Sequence, residues 1–120
     1  MMSTQEIAKR LADLVGKGEF EAAQRELFAE DAVSIEPQAS EAFAKETKGL
    51  RAILEKGQKW GAMVEKVHSC STSTPLVAGN AIAMSLAMDL TMKGRGRMQL
   101  AEICAYEVKD GKIASEQFFM

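Results

Sequence analysis

The first half of the chain repeats its apolar residues at helical spacing. In STQEIAKRLADLV, residues 3–15, apolar side chains recur every three or four positions, and Ser3 with Glu6 has the spacing of a capping box. The same period returns in EFEAAQRELFA, residues 19–29, and in LRAILEKGQKW, residues 50–60. The pattern predicts three helices, the first of which ends at Gly16 or Gly18.

Apolar and polar residues alternate with a period of two in residues 30–36 and from Val64 onward. EDAVSIE, residues 30–36, predicts a strand that ends at Glu36 before Pro37. From Val64 onward the alternation predicts four strands, near Val64–Thr74, Asn80–Met92, Arg97–Val108 and Lys112–Met120. Helices first and a strand meander last indicate an α+β fold, in which three N-terminal helices pack on one face of a cone-shaped, curved antiparallel sheet.

Hairpin turns assign the side chains of these strands to faces. A two-residue turn at Asp110–Gly111 would pair Val108 with Ile113, Tyr106 with Ser115 and Cys104 with Gln117. A turn at Gly94–Arg95 would set Asp89 opposite Leu100. The strand that contains His68 would place it opposite Asp89. One face then mixes small side chains with polar ones, which favours a pocket floor. Its polar and reactive members are Asp89, Glu102, Cys104, Tyr106, Ser115 and Gln117.

The opposite face of the same strands carries a run of long apolar side chains. This Met/Leu stripe comprises Ile82, Met84, Leu86, Met88, Leu90 and Met92. Three helices can cover only one face of a sheet, so we expect the stripe to bury a second copy of the chain and the protein to be a homodimer. The alternative is that the stripe packs under the helices and the polar face lies outside.

Composition and charge narrow the functional classes. The 120 residues contain 15 Lys plus Arg and 17 Asp plus Glu, a net charge of -2 without a basic stripe, which argues against nucleic-acid binding. No apolar window reaches the roughly 18 residues of a membrane span, and the N-terminus does not resemble a signal peptide. We therefore expect a cytoplasmic protein with no membrane partner, in which Cys70 and Cys104 are free thiols.

The segments LFAEDAVSIEP, KGLRAIL and YEVKDGKIASEQFF, in the order helix, helix, strand, helix and meander, resemble the nuclear transport factor 2-like superfamily. The SnoaL-like and ketosteroid isomerase-like branch is most similar. The resemblance implies a single SnoaL-like domain over residues 1–120. It also places Glu36 where ketosteroid isomerases carry their general base. The two oxyanion donors of those enzymes fall on Leu11 and Cys104, so steroid isomerisation is not expected.

Several residues are candidates for chemistry or binding. Glu36, His68 and Asp89 are the predicted catalytic residues, since a carboxylate base and a His–Asp pair could move protons. No metal or other cofactor is expected, because the metal-ligand residue types are scattered along the chain. The predicted ligand-binding residues are Trp60, Glu102, Cys104, Tyr106 and Gln117, with Tyr106 either a hydrogen-bond donor or a wall of the pocket.

These residues support two functional hypotheses. In one, an enclosed pocket binds a small hydrophobic molecule with a carbonyl group and catalyses acid–base isomerisation, cyclisation or hydration. In the other, the protein is a non-catalytic small-molecule-binding or homodimeric assembly module. The sequence leaves open whether any turnover occurs.

Overall fold

Three helices cover one face of an open, curved sheet of seven strands in this computed structural model, which describes residues 1–120. The α+β class is therefore confirmed. None of the helices has the length and apolar character needed to cross a membrane. The elements are α1 Thr4–Gly16, α2 Phe20–Leu27, β1 Phe28–Ile35, β2 Glu46–Lys48, α3 Leu50–Met63, β3 Val64–Thr72, β4 Leu76–Ala78, β5 Ala81–Met92, β6 Gly96–Lys109 and β7 Lys112–Phe119.

The predicted helices form where the sequence places them. Ser3 caps α1 by accepting a hydrogen bond from the Glu6 backbone N–H, and the Glu6 carboxylate accepts one from the Ser3 N–H, which completes the capping box. In α1, residues Ile7, Leu11 and Leu14 are buried on one face. The helices pack through such stripes onto the sheet, because burial of apolar area supplies most of their stability.

The sheet has the strand order β2-β1-β7-β6-β5-β3, and β4 pairs with the start of β5. All pairs are antiparallel except β1 with β7, which run parallel and bring the end of β1 beside the end of the chain. This contact matters for the site, because it joins residues about eighty positions apart in the sequence.

The register between β5 and β6 differs from the predicted one. Lys93, Gly94 and Arg95 form a three-residue loop, so that Met92 pairs with Gly96 and Asp89 pairs with Gln99, not Leu100. A slip of one position reverses the facing of a whole strand. The predicted facing of β5 was therefore wrong, and the Met/Leu stripe lies on the inner face of the sheet, buried against the helices.

This correction removes the basis on which a dimer was predicted. The stripe belongs to a core of 20 buried residues that also includes Ile7, Leu11 and Ile53 of the helices. The outer face of β5 carries Ala, Ser, Asp and Thr side chains instead. The homodimer stays a prediction, and its interface would have to use a different surface.

A second correction lies in the last hairpin. Val108 pairs with Ile113 as predicted, but a bulge between Glu107 and Val108 shifts the next pairs by one, so Tyr106 faces Glu116 and Cys104 faces Phe118. Gln117 and Ser115 therefore lie on the outer face, contrary to prediction. The bulge turns Glu116 inward, where it is 5% exposed.

Candidate functional site

Strand β6 contributes three of the predicted residues to the inner face of the sheet. Glu102, Cys104 and Tyr106 alternate with Ile103 and Ala105, which face outward. Cys104 and Tyr106 are buried, and Glu102 is half-buried. The structure thus brings these three side chains together, beside the apolar residues of β5.

Strands β1 and β7 add two residues that sequence reasoning missed. Ser34 of β1 pairs with Glu116 of β7, and because directly opposed residues share a face, both side chains point inward. Ser34 is fully buried, and its hydroxyl acts to lower the pKa of the neighbouring Glu116 carboxyl group. Glu36 follows Ser34 by two positions and lies on the same side, at the end of the strand.

A lysine on α3 connects these groups from above. The ammonium group of Lys56 donates a hydrogen bond of 2.6 Å to Ser34 Oγ and stands 3.5 Å from Glu36 Oε2. Its side chain is 16% exposed and that of Glu36 is 28% exposed. Lys56 was not predicted as a site residue, because its partners Ser34 and Glu36 lie about twenty positions earlier in the chain and no local pattern reports the contact.

We refer to Glu36, Glu102, Glu116, Ser34 and Lys56 as the carboxyl cluster. Burial raises the pKa of Glu102 to about 7, and the negative charges of Glu36 and Glu116 act in the same direction. Burial also raises the pKa of Glu116 to about 7, although the Ser34 hydrogen bond and the Lys56 charge oppose the shift. Both groups therefore exchange protons near neutrality, where a catalytic acid is most effective.

No group of three His, Cys, Asp or Glu side chains stands close enough together to hold a metal ion. The three carboxyl groups are thus electrostatic neighbours that do not converge on one point. Their arrangement suits separate roles in proton transfer.

Cys104 and Tyr106 lie deeper than the carboxyl groups. Burial, followed by the charge of Glu102, raises the pKa of the Cys104 thiol to about 12, and its Sγ lies 3.9 Å from Glu102 Oε1. Burial also raises the pKa of Tyr106, whose hydroxyl interacts with the Cys104 thiol. Because a nucleophile must be a thiolate, Cys104 cannot act as one in this setting.

His68 and Asp89 stand on the other side of the sheet. Asp89 accepts two hydrogen bonds from the Arg97 guanidinium, at 2.9 and 2.8 Å, and this contact lowers the pKa of its carboxyl group. A bulge in β3 sets Ser69, not His68, opposite Asp89, and the His68 Nε2 lies 2.7 Å from Thr91 Oγ1. The structure therefore does not bring His68 and Asp89 to Glu36.

Trp60, one of the predicted ligand-binding residues, packs between two helices. Its ring packs edge-on against Phe20 of α2, with 6.2 Å between ring centroids. The contact joins α3 to α2 and is of the kind that stabilises helix packing.

A surface depression of about 250 Å³ opens beside the carboxyl cluster. The loop that follows β1 forms one wall and α3 forms the other. Lys59 of α3 holds the loop, because its ammonium donates a 2.6 Å hydrogen bond to the Ala42 carbonyl and lies 5.3 Å from the centre of the Phe43 ring. The lining residues are Ala42, Phe43, Ala44, Thr47, Ala52, Glu55, Lys56 and Lys59.

A larger depression of about 570 Å³ lies between α2 and α3, but charged side chains dominate its lining. Arg25 pairs with Glu21, and Arg51 pairs with Glu55. None of the predicted site residues lines either depression, so the enclosed pocket expected from the sequence remains a prediction.

Comparison with known proteins connects this geometry to a family. The family model described as SnoaL-like domain matches residues 2–120. A crystal structure of a proposed SnoaL-like polyketide cyclase from Mesorhizobium loti, also described as a carbohydrate phosphatase, is 33% identical. Its TM-score is 0.88, with 99% of this chain and 100% of that chain covered. No curated protein matches the chain.

Two further structures share the fold at lower identity. IdmH, a proposed polyketide cyclase from Streptomyces antibioticus, is 17% identical with a TM-score of 0.74, and 98% of this chain and 91% of that chain are covered. A protein with a ketosteroid isomerase-like fold from Catenulispora acidiphila, in complex with trimethylamine, is 21% identical. Its TM-score is 0.70, with 98% of this chain and 87% of that chain covered.

Proposed function

Because this chain belongs to the SnoaL-like domain family, we propose that it binds a small hydrophobic molecule with two carbonyl groups and catalyses an aldol-type cyclisation. The observation that carries the proposal is the carboxyl cluster, in which two carboxyl groups with pKa values of about 7 adjoin the partly exposed Glu36. Proton removal and proton return, the two requirements of such a reaction, are then available at one site.

In the proposed reaction, Glu36 removes a proton from the carbon next to one carbonyl group. The electron pair of the broken C–H bond forms the carbon–carbon double bond of an enolate, and the negative charge moves to the carbonyl oxygen. The enolate carbon then attacks the second carbonyl carbon, and the alkoxide that forms takes a proton from Glu102. A carboxyl group with a pKa of about 7 still carries that proton in half of the molecules at neutral pH.

Cyclisation is favoured over the other acid–base reactions by two observations. The relative from Mesorhizobium loti carries the name of a polyketide cyclase, and it spans the same length. Steroid isomerisation lacks support because Leu11, where the resemblance places an oxyanion donor, is an apolar core residue with 1% exposure. Cytoplasmic location and homodimer formation remain parts of the proposal that rest on the sequence.

The proposal is tested by hydrogen exchange in a simple ketone. β-Tetralone is a compact bicyclic ketone whose acidic C–H bonds exchange with D₂O once a base removes a proton. We expect the wild type to accelerate this exchange, followed by NMR, and Glu36→Gln to reduce the acceleration by at least about tenfold while keeping the side-chain shape.

His68→Gln is the matched comparison, since it changes the other predicted catalytic group on the opposite face of the sheet. We expect it to exchange β-tetralone at the wild-type rate. A loss in His68→Gln with none in Glu36→Gln would contradict the proposed role of Glu36 and support the His–Asp pair predicted from the sequence.

Ligand binding without turnover is the second candidate function. It is favoured by the observation that every fully buried side-chain N and O atom already has a hydrogen-bond partner, so that only partly exposed groups such as Lys56 could receive a ligand. A protein that binds β-tetralone but does not accelerate its exchange would identify this function.

A further inference from the structure

The proposed reaction leaves the developing enolate oxygen without an assigned hydrogen-bond donor. Such a donor usually provides the largest single share of transition-state stabilisation. Tyr106, the donor that the sequence suggested, is 5% exposed and its hydroxyl interacts with Cys104. Leu11 has no polar group. The donor must therefore come from another element of the fold.

We propose that Lys56 is this donor, and that its ammonium group binds the carbonyl oxygen of the ligand as negative charge develops there. The inference rests on the proposed function and adds a residue and a ligand position to it. The Lys56 side chain joins the inner carboxyl cluster to the surface depression, since its ammonium group contacts Ser34 and Glu36 and the residue lines that depression.

The hydrogen bonds of Lys56 leave capacity for a ligand. An ammonium group has three N–H donors. Ser34 Oγ accepts one at 2.6 Å, and Glu36 Oε2 at 3.5 Å forms an ion pair with the group. These two acceptors and the Phe118 ring, 5.8 Å from Nζ, hold the ammonium in place, so that little reorganisation is needed when a carbonyl oxygen arrives.

The same geometry places the base beside the donor. A ligand whose carbonyl oxygen contacts Lys56 would have its neighbouring carbon close to Glu36, because the two side chains are in contact. The reacting carbon and the carbonyl oxygen are adjacent in an enolate, which matches a base and a donor that are adjacent in the protein.

The depression suits the apolar remainder of the ligand. Its apolar lining residues are Ala42, Phe43, Ala44 and Ala52, and Lys59 fixes the loop that carries three of them. The volume of about 250 Å³ and one aromatic wall fit a compact aromatic ketone better than a long chain.

The test uses β-naphthol, whose anion resembles the enolate of β-tetralone in shape and charge. Absorbance measures how much of the bound β-naphthol is ionised as the pH is varied. We expect the wild type to bind β-naphthol with a lowered ligand pKa, and Lys56→Met to raise that pKa by about one unit and to weaken anion binding about tenfold.

Three variants control for other causes. Lys66→Met removes the same charge from an exposed position on the outer face and should leave the pKa of bound β-naphthol unchanged. Lys56→Gln removes the charge but keeps a group that can donate to Ser34. It should therefore raise the pKa of bound β-naphthol as Lys56→Met does, and it replaces that variant if Lys56→Met folds poorly. Glu36→Gln removes a neighbouring negative charge and should shift the ligand pKa in the opposite direction.

The outcomes separate this inference from the proposed function. If β-naphthol does not bind the wild type, or binds Lys56→Met and Lys56→Gln with an unchanged pKa, the role of Lys56 is wrong. Exchange of β-tetralone that depends on Glu36 would nevertheless leave the proposed function standing. If the ligand pKa depends on Lys56 but no exchange occurs, the binding position is supported and the catalytic function is not.

Discussion

Replacing Glu116 by Gln is expected to stabilise the protein by up to about 3 kcal/mol above neutral pH, and to change its stability little near pH 5. The carboxyl group is buried against the sheet, and the folded protein holds its proton up to a pKa of about 7. Ionisation inside the fold is therefore costly, and an uncharged amide of similar shape avoids that cost.

The direction of this pH dependence follows from the number of protons that the folded and unfolded states bind. An unfolded Glu titrates near 4.5, so between this value and about 7 the folded state binds more protons than the unfolded state. The contribution of Glu116 to the free energy of unfolding is greatest below the pKa of the unfolded state. It falls as the pH rises from that pKa to the folded pKa of about 7. Glu102 acts in the same direction with a smaller effect, because it is only half-buried.

The carboxyl groups with lowered pKa values change the stability of the protein at a lower pH than Glu102 and Glu116 do. Glu6, Glu21, Glu26 and Asp89 have lowered pKa values, which arise from hydrogen bonds with Ser3, Gln58, Arg10 and Arg97 respectively. They stabilise the fold above the unfolded pKa, and that contribution is lost as pH falls below it. A decline in stability between about pH 5 and about pH 8 is therefore diagnostic of Glu102 and Glu116.

Urea unfolding of the wild type, Glu116→Gln and Glu102→Gln across that range measures the effect. Glu107→Gln is the matched control, since Glu107 lies on the same strand as Glu102 but is exposed on the outer face. A wild-type stability that rises toward alkaline pH, or a Glu116→Gln variant that gains nothing there, would contradict the buried position of this carboxyl group.

Replacing Leu90 by Ala is expected to destabilise the protein by about 3 kcal/mol. Leu90 belongs to the Met/Leu stripe, has 0% exposure and packs in the core beneath the helices. Truncation removes buried methyl groups and leaves a cavity that the surrounding helices and sheet can close only in part.

Ile103→Ala supplies the comparison for this prediction. Ile103 lies on the outer face of β6 with 47% exposure, so its truncation should cost less than about 1 kcal/mol in the monomer. Denaturant unfolding of both variants would distinguish the two faces. Similar costs for Ile103 and Leu90 would mean that the two side chains share one face of the sheet, as they do in the register predicted from the sequence.

The sequence determined the elements because their signals are local. Helical spacing and the capping box of Ser3 and Glu6 located α1, and period two located the long strands. Alternation along one strand also put Glu102, Cys104 and Tyr106 on a common face without any knowledge of their neighbours. Resemblance to the SnoaL-like family came from these local segments and is confirmed over residues 2–120.

Which residues meet across the sheet was decided only by the tertiary structure. The three-residue loop at Lys93–Arg95 and the bulge before Val108 each change the pairing by one position, and turn residues alone did not specify either. The physical reason is that register is chosen by burial summed over whole strands. Packing six long apolar side chains of β5 under the helices outweighs the preference of one turn for a two-residue form.

The carboxyl cluster shows the same division. Glu36 was visible at the end of its strand, but Glu116 required the bulge, Ser34 required the parallel pairing of β1 with β7, and Lys56 required α3 to cross above them. These contacts join positions far apart in the chain, so no local spacing reports them. The sequence thus determined the helices, the strands and the family, whereas long-range packing alone decided which ionisable groups share a site, because burial of apolar surface sets where each face points.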